Sequence, residues 1–176
     1  MDHESQLTGL LKFDAAKQAI ETASSIDEVK DIRNKAEAFR AYAKQAHLSL
    51  GMQNKCAEIK VRAERRAGEL LGEMEKNPGG DPRPNNIMLL GPPKLSEIGI
   101  SKIQSSRWQQ MASIPESVFE DHIAETIGTE EELTSSSLLH IAQVLKIKQK
   151  RKREKGKYLN QKHYHQKNLV SIALIA

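Results

Sequence analysis

The chain has 176 residues and a net charge of +4, and its hydrophobic fraction of 38% lies below the roughly 45–50% typical of globular domains. Only three Phe, three Tyr and one Trp are available to fill a core, so long helices that bury a narrow apolar stripe fit better than one large compact core. The single cysteine, Cys56, excludes an intramolecular disulfide and a cysteine-based zinc site.

Residues 1–76 are predicted to form a helical arm, beginning with a short leading helix over residues 1–24. Ser25 and Glu28 have the spacing of a capping box, which predicts the start of a second helix. Apolar residues then recur in steps of three and four, as in a heptad seam. They are Val29, Ile32, Ala36, Phe39, Ala43, Ala46 and Leu50, followed by Cys56, Ile59, Ala63, Ala67, Leu70 and Met74.

The phase of this seam slips around residues 47–54, which leaves two structures open. One is a single helix of about 50 residues with a stutter. The other is a helical hairpin that turns near Gly51. We favour the long helix, because residues 48–52 contain one glycine and no proline. A thin apolar seam on a long helix requires a partner helix, so we predict a homodimer or coiled coil formed through residues 25–76.

Residues 77–93 are predicted to be a linker, since they contain five of the six prolines and three glycines. Residues 87–90 are an apolar island within it, expected to pack onto a neighbouring helix.

A small helical bundle is predicted for residues 94–152, with helices at 95–98, 101–112 and 115–127 and a final helix from about Leu133. Pro115 fits the first position of its helix. Gly99 is expected to adopt a left-handed turn, Ile100 to point into the core, and Ser101 to cap the next helix.

The helix that follows Ser101 has the composition expected of a helix that enters the DNA major groove. Its inner face is expected to contain Ile103, Trp108, Met111 and Ala112. Its outer face would present small, polar or basic side chains for base edges and phosphates, namely Lys102, Gln104, Ser105, Ser106, Arg107 and Gln109.

Residues 95–112 resemble the helix-turn-helix of the ParB/KorB family of plasmid and phage DNA-binding proteins. The similarity depends on Gly99-Ile100-Ser101 followed by Ser106-Arg107-Trp108. It implies that Trp108 packs inward and that five side chains face duplex DNA: Ser101, Lys102, Gln104, Ser105 and Arg107.

Residues 28–44, 57–73 and 114–119 are also similar to a group of small helical proteins carried by prophages or plasmids, sometimes beside adenine-methyltransferase genes. This similarity implies a mobile-element origin. Together with the helix that follows Ser101, it predicts a DNA-binding protein of mobile-element origin, acting as a transcriptional regulator or as an accessory in partition or replication.

Positive charge is concentrated at the C-terminal end. Residues 146–176 contain ten Lys and Arg against one acid, Glu154, whereas the rest of the chain carries 17 basic and 22 acidic residues. This asymmetry indicates a polyanionic partner, and counterion release would give the basic run affinity for phosphates. The predicted contacts are Lys148, Lys150, Arg151, Lys152 and Arg153. Residues 153–176 are predicted to be a basic, partly disordered tail.

No nucleophile elbow, phosphate loop, zinc spacing or carboxylate pair is present in the sequence, so we predict no catalytic residue, metal or cofactor. His163 and His165 have no acidic or thiol neighbour. Neither a signal peptide nor a membrane-spanning run is visible, and we predict a cytoplasmic protein. The alternative to DNA binding is a coiled-coil interaction protein, acting as an adaptor or as an inhibitor of another protein.

Overall fold

The computed structural model describes residues 3–75 and 93–173, and side chains over residues 12–75 and 93–158. These ranges contain no strand and six helices: α1 (His3–Thr22), α2 (Ile26–Gln45), α3 (Leu50–Glu73), α4 (Lys102–Ala112), α5 (Glu116–Gly128) and α6 (Ser135–Ala173). The predicted all-α class is confirmed. None of the described helices is both long enough and apolar enough to span a membrane.

The connection between α2 and α3 is a tight turn over residues 46–49, so the favoured single long helix is wrong. The two helices form a hairpin, but Gly51, where the turn was predicted, lies inside α3. His47 takes the left-handed conformation with φ of 51°. The amide of Leu48 donates to the carbonyl of Ala43 at 2.9 Å, and that of His47 to Lys44 at 3.1 Å, which closes the end of α2. The Ser49 hydroxyl then caps α3. The turn therefore forms without the glycine or proline that sequence patterns require.

The hairpin buries the apolar seam within one chain. Val29, Ala36 and Ala43 on α2 are buried, as are Ile59, Ala63, Ala67 and Leu70 on α3. Phe39 was assigned to the seam, but its side chain is 65% exposed. The inward face of α2 follows steps of four and three residues from Val29. These steps place Arg33 and Arg40, and not Phe39, beside α3. Because the two helices cover each other's stripe, the seam no longer requires a partner helix from a second chain.

Helix α3 lies at the centre of the molecule, between two apolar clusters. One cluster joins it to α1, α2 and Trp108 of α4. The other joins its Ala57 and Val61 to Met111, Phe119 and Leu138 from the three helices that follow. A helix of the predicted arm thus supplies one wall of the core of the C-terminal helices.

The crossing of α3 and α4 depends on Gly68. A Cβ atom at this position would lie 2.0 Å from the carbonyl oxygen of Trp108. Glycine is required here because the two backbones approach too closely for any side chain.

The C-terminal helices follow the predicted order with shifted ends. Residues 95–99 form hydrogen-bonded turns and no helix, so the first helix of the predicted helix-turn-helix is not formed. Pro115 is the N-cap of α5 instead of its first residue, and α6 starts at Ser135. The backbone of α6 is helical to Ala173, where partial disorder was expected, since Lys, Arg and Gln are good helix formers and this stretch contains no proline. The apolar island, nearly all of the linker and residues 174–176 lie outside the described residues, as do the side chains of His163 and His165.

Candidate nucleic-acid interface

The turn before α4 has the local structure that the sequence predicts. Gly99 has φ of 65°, and Ile100 behind it is buried. The Ser101 hydroxyl accepts a hydrogen bond from the Gln104 amide at 3.1 Å, and the Gln104 side chain accepts one from the Ser101 amide at 3.0 Å. This reciprocal capping box fixes the start of α4. It also engages two of the side chains that were expected to face DNA.

The outer face of α4 differs from the predicted one at two positions. Ser105 is only 5% exposed and accepts a hydrogen bond from Gln109, so the expectation that it contacts DNA is wrong. Ile103 was expected inside but is 66% exposed. Ser105 lies three residues before the buried Trp108, on the face of α4 turned toward the protein. Lys102 and Arg107 are exposed, as the sequence predicts.

A cleft of about 730 Å³ lies between α2, α3, α4 and the first turns of α6. It is lined by the cations Arg33, Arg40, Lys60 and Arg107. Further polar groups at its wall are Gln104, Ser136, His140 and Gln143. A cleft with this lining is suited to an anionic or hydrogen-bonding ligand.

The cations on the α2 and α3 sides of the cleft are neutralised by carboxylates. Arg33 pairs with buried Glu64 at 3.3 Å, and the Ser135 hydroxyl donates to the same carboxylate at 2.6 Å. Lys60 pairs with Glu37 at 2.8 Å. Burial raises the pKa of Glu37, but the hydrogen bond and charge of Lys60, with nearby arginines, bring that pKa below its ordinary value.

Arg40 pairs with Glu132, which also accepts from Lys44 at 2.5 Å. Arg107, at the rim, has no ion pair among residues 12–75 and 93–158. Among the side chains that the structure describes, Arg107 is therefore the one cation of the cleft without a carboxylate partner, and the other cations of the cleft hold the helices together.

Helix α6 changes character at residue 146. Leu138 and Ala142 are buried against the body of the protein, whereas every side chain from Lys146 to Tyr158 is exposed. We call residues 146–173 the α6 arm; it is about 42 Å long at 1.5 Å per residue. Its exposed cations include all five predicted phosphate contacts, which are Lys148, Lys150, Arg151, Lys152 and Arg153. Within the described side chains the arm has one ion pair, Lys150 with Glu154 at 3.9 Å.

The cleft and the α6 arm share one face of α6. Ser136, His140 and Gln143 line the cleft at steps of four and three residues. The same steps continue to Ile147 and then to Lys150 and Arg151 on the arm. The cleft residues of α6 were not among the site residues predicted from the sequence. Their polar stripe, opposite Leu138 and Ala142, is the signal that could have identified them.

Over the described residues, no three His, Cys, Asp or Glu side chains form a group that could hold a metal ion. Comparisons with protein-family models, curated proteins and solved structures each give no match to this chain.

Proposed function

We propose that this chain is a DNA-binding protein that contacts duplex DNA through the α6 arm and the exposed side of α4. The observation that carries the proposal is the exposure of eight cations between Lys146 and Lys157, among which a single ion pair is formed within the described side chains. Cations that neutralise phosphates release condensed counterions, and this release provides affinity for any duplex.

Repulsion between neighbouring cations destabilises the helix of the arm, and a bound polyanion would remove this repulsion. Like charges four residues apart repel each other on a helix. The arm has four such pairs: Lys146 with Lys150, Lys148 with Lys152, Arg151 with Lys155, and Arg153 with Lys157. This arrangement opposes folding of the isolated arm, and phosphates placed between the side chains would turn the repulsion into attraction.

Helix α4 supplies the second element of the proposed surface. Lys102 and Arg107 are exposed on it, and the half-buried Gln104 lines the cleft together with Arg107. Arginine is the commonest side chain in specific contacts with guanine, whereas lysines on a basic run mostly contact phosphates. We therefore assign sequence preference to α4 and general affinity to the arm. The ParB/KorB resemblance supports a role in transcription, partition or replication of a mobile element.

The test compares two kinds of variant in a gel shift with a mixture of duplex DNA sequences. Lys152→Ala on the arm should weaken binding to all sequences equally. Arg107→Ala should reduce the difference in binding free energy between preferred and random DNA sequences. The reduction should be about 1–3 kcal/mol if Arg107 contacts a base. If both variants behave alike, α4 does not read sequence; if neither changes binding, the proposed surface is wrong.

A second candidate function, the protein-interaction role, is favoured by two exposed aromatics on α2. Phe39 is 65% and Tyr42 is 64% exposed, and they lie one helical turn apart. Homodimerisation through residues 25–76 would now have to use this face, because the seam is buried inside the hairpin. Phe39→Lys should abolish self-association in sedimentation velocity if a dimer forms there. Binding that persists after nuclease treatment would favour the adaptor function over DNA binding.

A further inference from the structure

The eight cations between Lys146 and Lys157 of the α6 arm form two rows on opposite sides of the helix. At 3.6 residues per turn, one row contains Lys146, Lys150, Arg153 and Lys157, and the other contains Lys148, Arg151, Lys152 and Lys155. The centres of the two rows are about 180° apart around the helix axis. One side between them carries Gln149 and Gly156, and the other carries Ile147, Glu154 and Tyr158.

This arrangement differs from that of a helix lying on the outside of a phosphate backbone. Such a helix needs cations on the one face that touches the backbone, and a second row on the far side would point into solvent. Two opposed rows match a helix with phosphates on both sides. The major groove of B-form DNA provides that environment, since it is about 12 Å wide and a helix with its side chains is about 10–12 Å across.

We infer that the α6 arm lies lengthwise in the major groove of B-form DNA, with each cation row against the phosphates of one strand. This inference rests on the proposed function and adds both the binding mode and the duplex type. The major groove of an A-form RNA helix is deep and narrow, and side chains do not reach into it. The arm should therefore distinguish DNA from RNA duplexes by shape, without reading a base.

The two rows also define which sides of the arm face the bases and the solvent. The side with Ile147 continues the cleft-lining face of α6, while the side with Gln149 continues the buried face of Leu138 and Ala142. We therefore place the Ile147 side toward the bases and the Gln149 side toward solvent. Arg107 of α4 lines the cleft that the Ile147 side continues.

The first experiment uses the full chain and three labelled duplexes of about 24 base pairs in fluorescence anisotropy. One is DNA, one is RNA of the same sequence, and one is the same DNA with glucosylated 5-hydroxymethylcytosine, whose sugars fill the major groove. The chain should bind plain DNA at least about tenfold more tightly than either of the others. Netropsin in the minor groove should change the affinity by less than about twofold.

The second experiment replaces each row separately by glutamine, four substitutions in each variant, so that the two variants are matched in charge. Glutamine keeps a helix propensity close to that of lysine and arginine. Each variant should reduce the slope of log affinity against log salt by about 3.6, and the two reductions should be equal. If only one of the two variants had a smaller salt slope, insertion into the groove would be overturned. One face of the helix would then make all the phosphate contacts.

The outcomes separate this inference from the proposed function. If the unaltered chain binds no duplex at low salt, the proposed function fails. If it binds DNA, RNA and glucosylated DNA equally, DNA binding stands and groove insertion is overturned. The duplex comparison uses the unaltered chain, so it remains decisive even if a row variant loses its helix in circular dichroism.

Discussion

Helix α3 and the α6 arm are both rich in cations, but they use them in opposite ways. On α3, four of the five basic residues are paired with carboxylates of the same chain: Lys60, Arg62, Arg65 and Arg66. On the arm, eight cations share one carboxylate among the described side chains, Glu154. Charge on α3 therefore fixes the packing of neighbouring helices, while charge on the arm is left available for a ligand.

The difference follows from the neighbours of each helix. Helix α3 has other helices around it, and its buried carboxylates Glu58 and Glu64 would be costly without a cation beside them. The described side chains of the arm are exposed to solvent from Lys146 to Tyr158. Because these cations stay hydrated, they have no desolvation penalty for a carboxylate to offset. Substitutions on α3 should consequently change stability, and substitutions on the arm should change binding alone.

The largest effect is expected at the crossing of α3 and α4. Gly68→Ala places a Cβ atom 2.0 Å from the carbonyl oxygen of Trp108, and backbone atoms must move to accommodate it. We expect a loss of about 3 kcal/mol in the free energy of unfolding, measured by urea denaturation. The matched control is Gly72→Ala on the same helix, which meets nothing within 4 Å. It should stabilise by about 0.5 kcal/mol, and equal effects of the two substitutions would refute the close crossing.

A smaller loss is expected where α3 holds the loop before α6. Buried Asn54 donates to the carbonyl of Glu131 at 2.8 Å and accepts from the amide of Leu133 at 3.0 Å. Asn54→Ala leaves both backbone groups without this partner and should cost about 2 kcal/mol in thermal or urea unfolding. The exposed neighbour Lys55→Ala should cost less than about 0.5 kcal/mol. If the two variants unfold alike, Asn54 does not anchor the loop.

The ion pair between α3 and α5 predicts a dependence of stability on pH. Arg62 donates hydrogen bonds to both oxygens of Glu120, at 2.5 and 2.7 Å, and these lower the pKa of Glu120 against the raising effect of burial. Because the folded pKa lies below the unfolded one, this stabilisation is present above about pH 4.5 and is lost as the pH falls through the folded pKa.

Glu120→Gln should therefore flatten the rise of unfolding free energy between about pH 3 and 5. The effect should be on the order of 0.5 kcal/mol, because Glu120 is 40% exposed and screened by solvent. Urea denaturation at several pH values measures it. An unchanged pH profile would show that this pair does not stabilise the packing of α5.

The smallest effect is expected on the arm. Replacing either cation row by glutamine should change the free energy of unfolding by less than about 0.5 kcal/mol. Any change should increase the free energy of unfolding, because repulsive pairs of like charges are removed. The measurement is urea denaturation without DNA, with Gly68→Ala as the destabilised reference. A large loss of stability would show that the arm cations serve the fold, and the contrast with α3 would disappear.

Local features of this fold could be predicted from the sequence because they depend on residues three or four apart. The capping boxes at Ser25 and Ser101 and the left-handed Gly99 are of this kind. The long helix was favoured over the hairpin because the turn uses His47 in a conformation that sequence patterns assign to glycine or asparagine.

The candidate site was predicted less completely, for a nonlocal reason. The orientation of α4 is set by its close crossing with Gly68, a residue more than thirty positions earlier in the chain. That crossing places Ser105 inside and Ile103 outside, whereas the spacing of apolar residues within α4 predicts the reverse for Ile103. The cleft needs residues from four helices, so no local pattern could reveal it. The exposure of the arm cations could be predicted, because Lys and Arg are almost never buried without a paired carboxylate and this run contains a single acid, Glu154.

The most direct test of the account is the affinity of the full chain for duplex DNA between about 50 and 200 mM salt. The eight cations between Lys146 and Lys157 should contribute about −7 to the slope of log affinity against log salt. Replacing all eight by glutamine should remove this contribution and leave only that of Lys102, Arg107, Lys162 and Lys167, while the unfolding free energy changes by less than about 0.5 kcal/mol. Binding that is absent at low salt, or that keeps its full slope in the neutralised variant, would contradict the claim that the arm binds DNA.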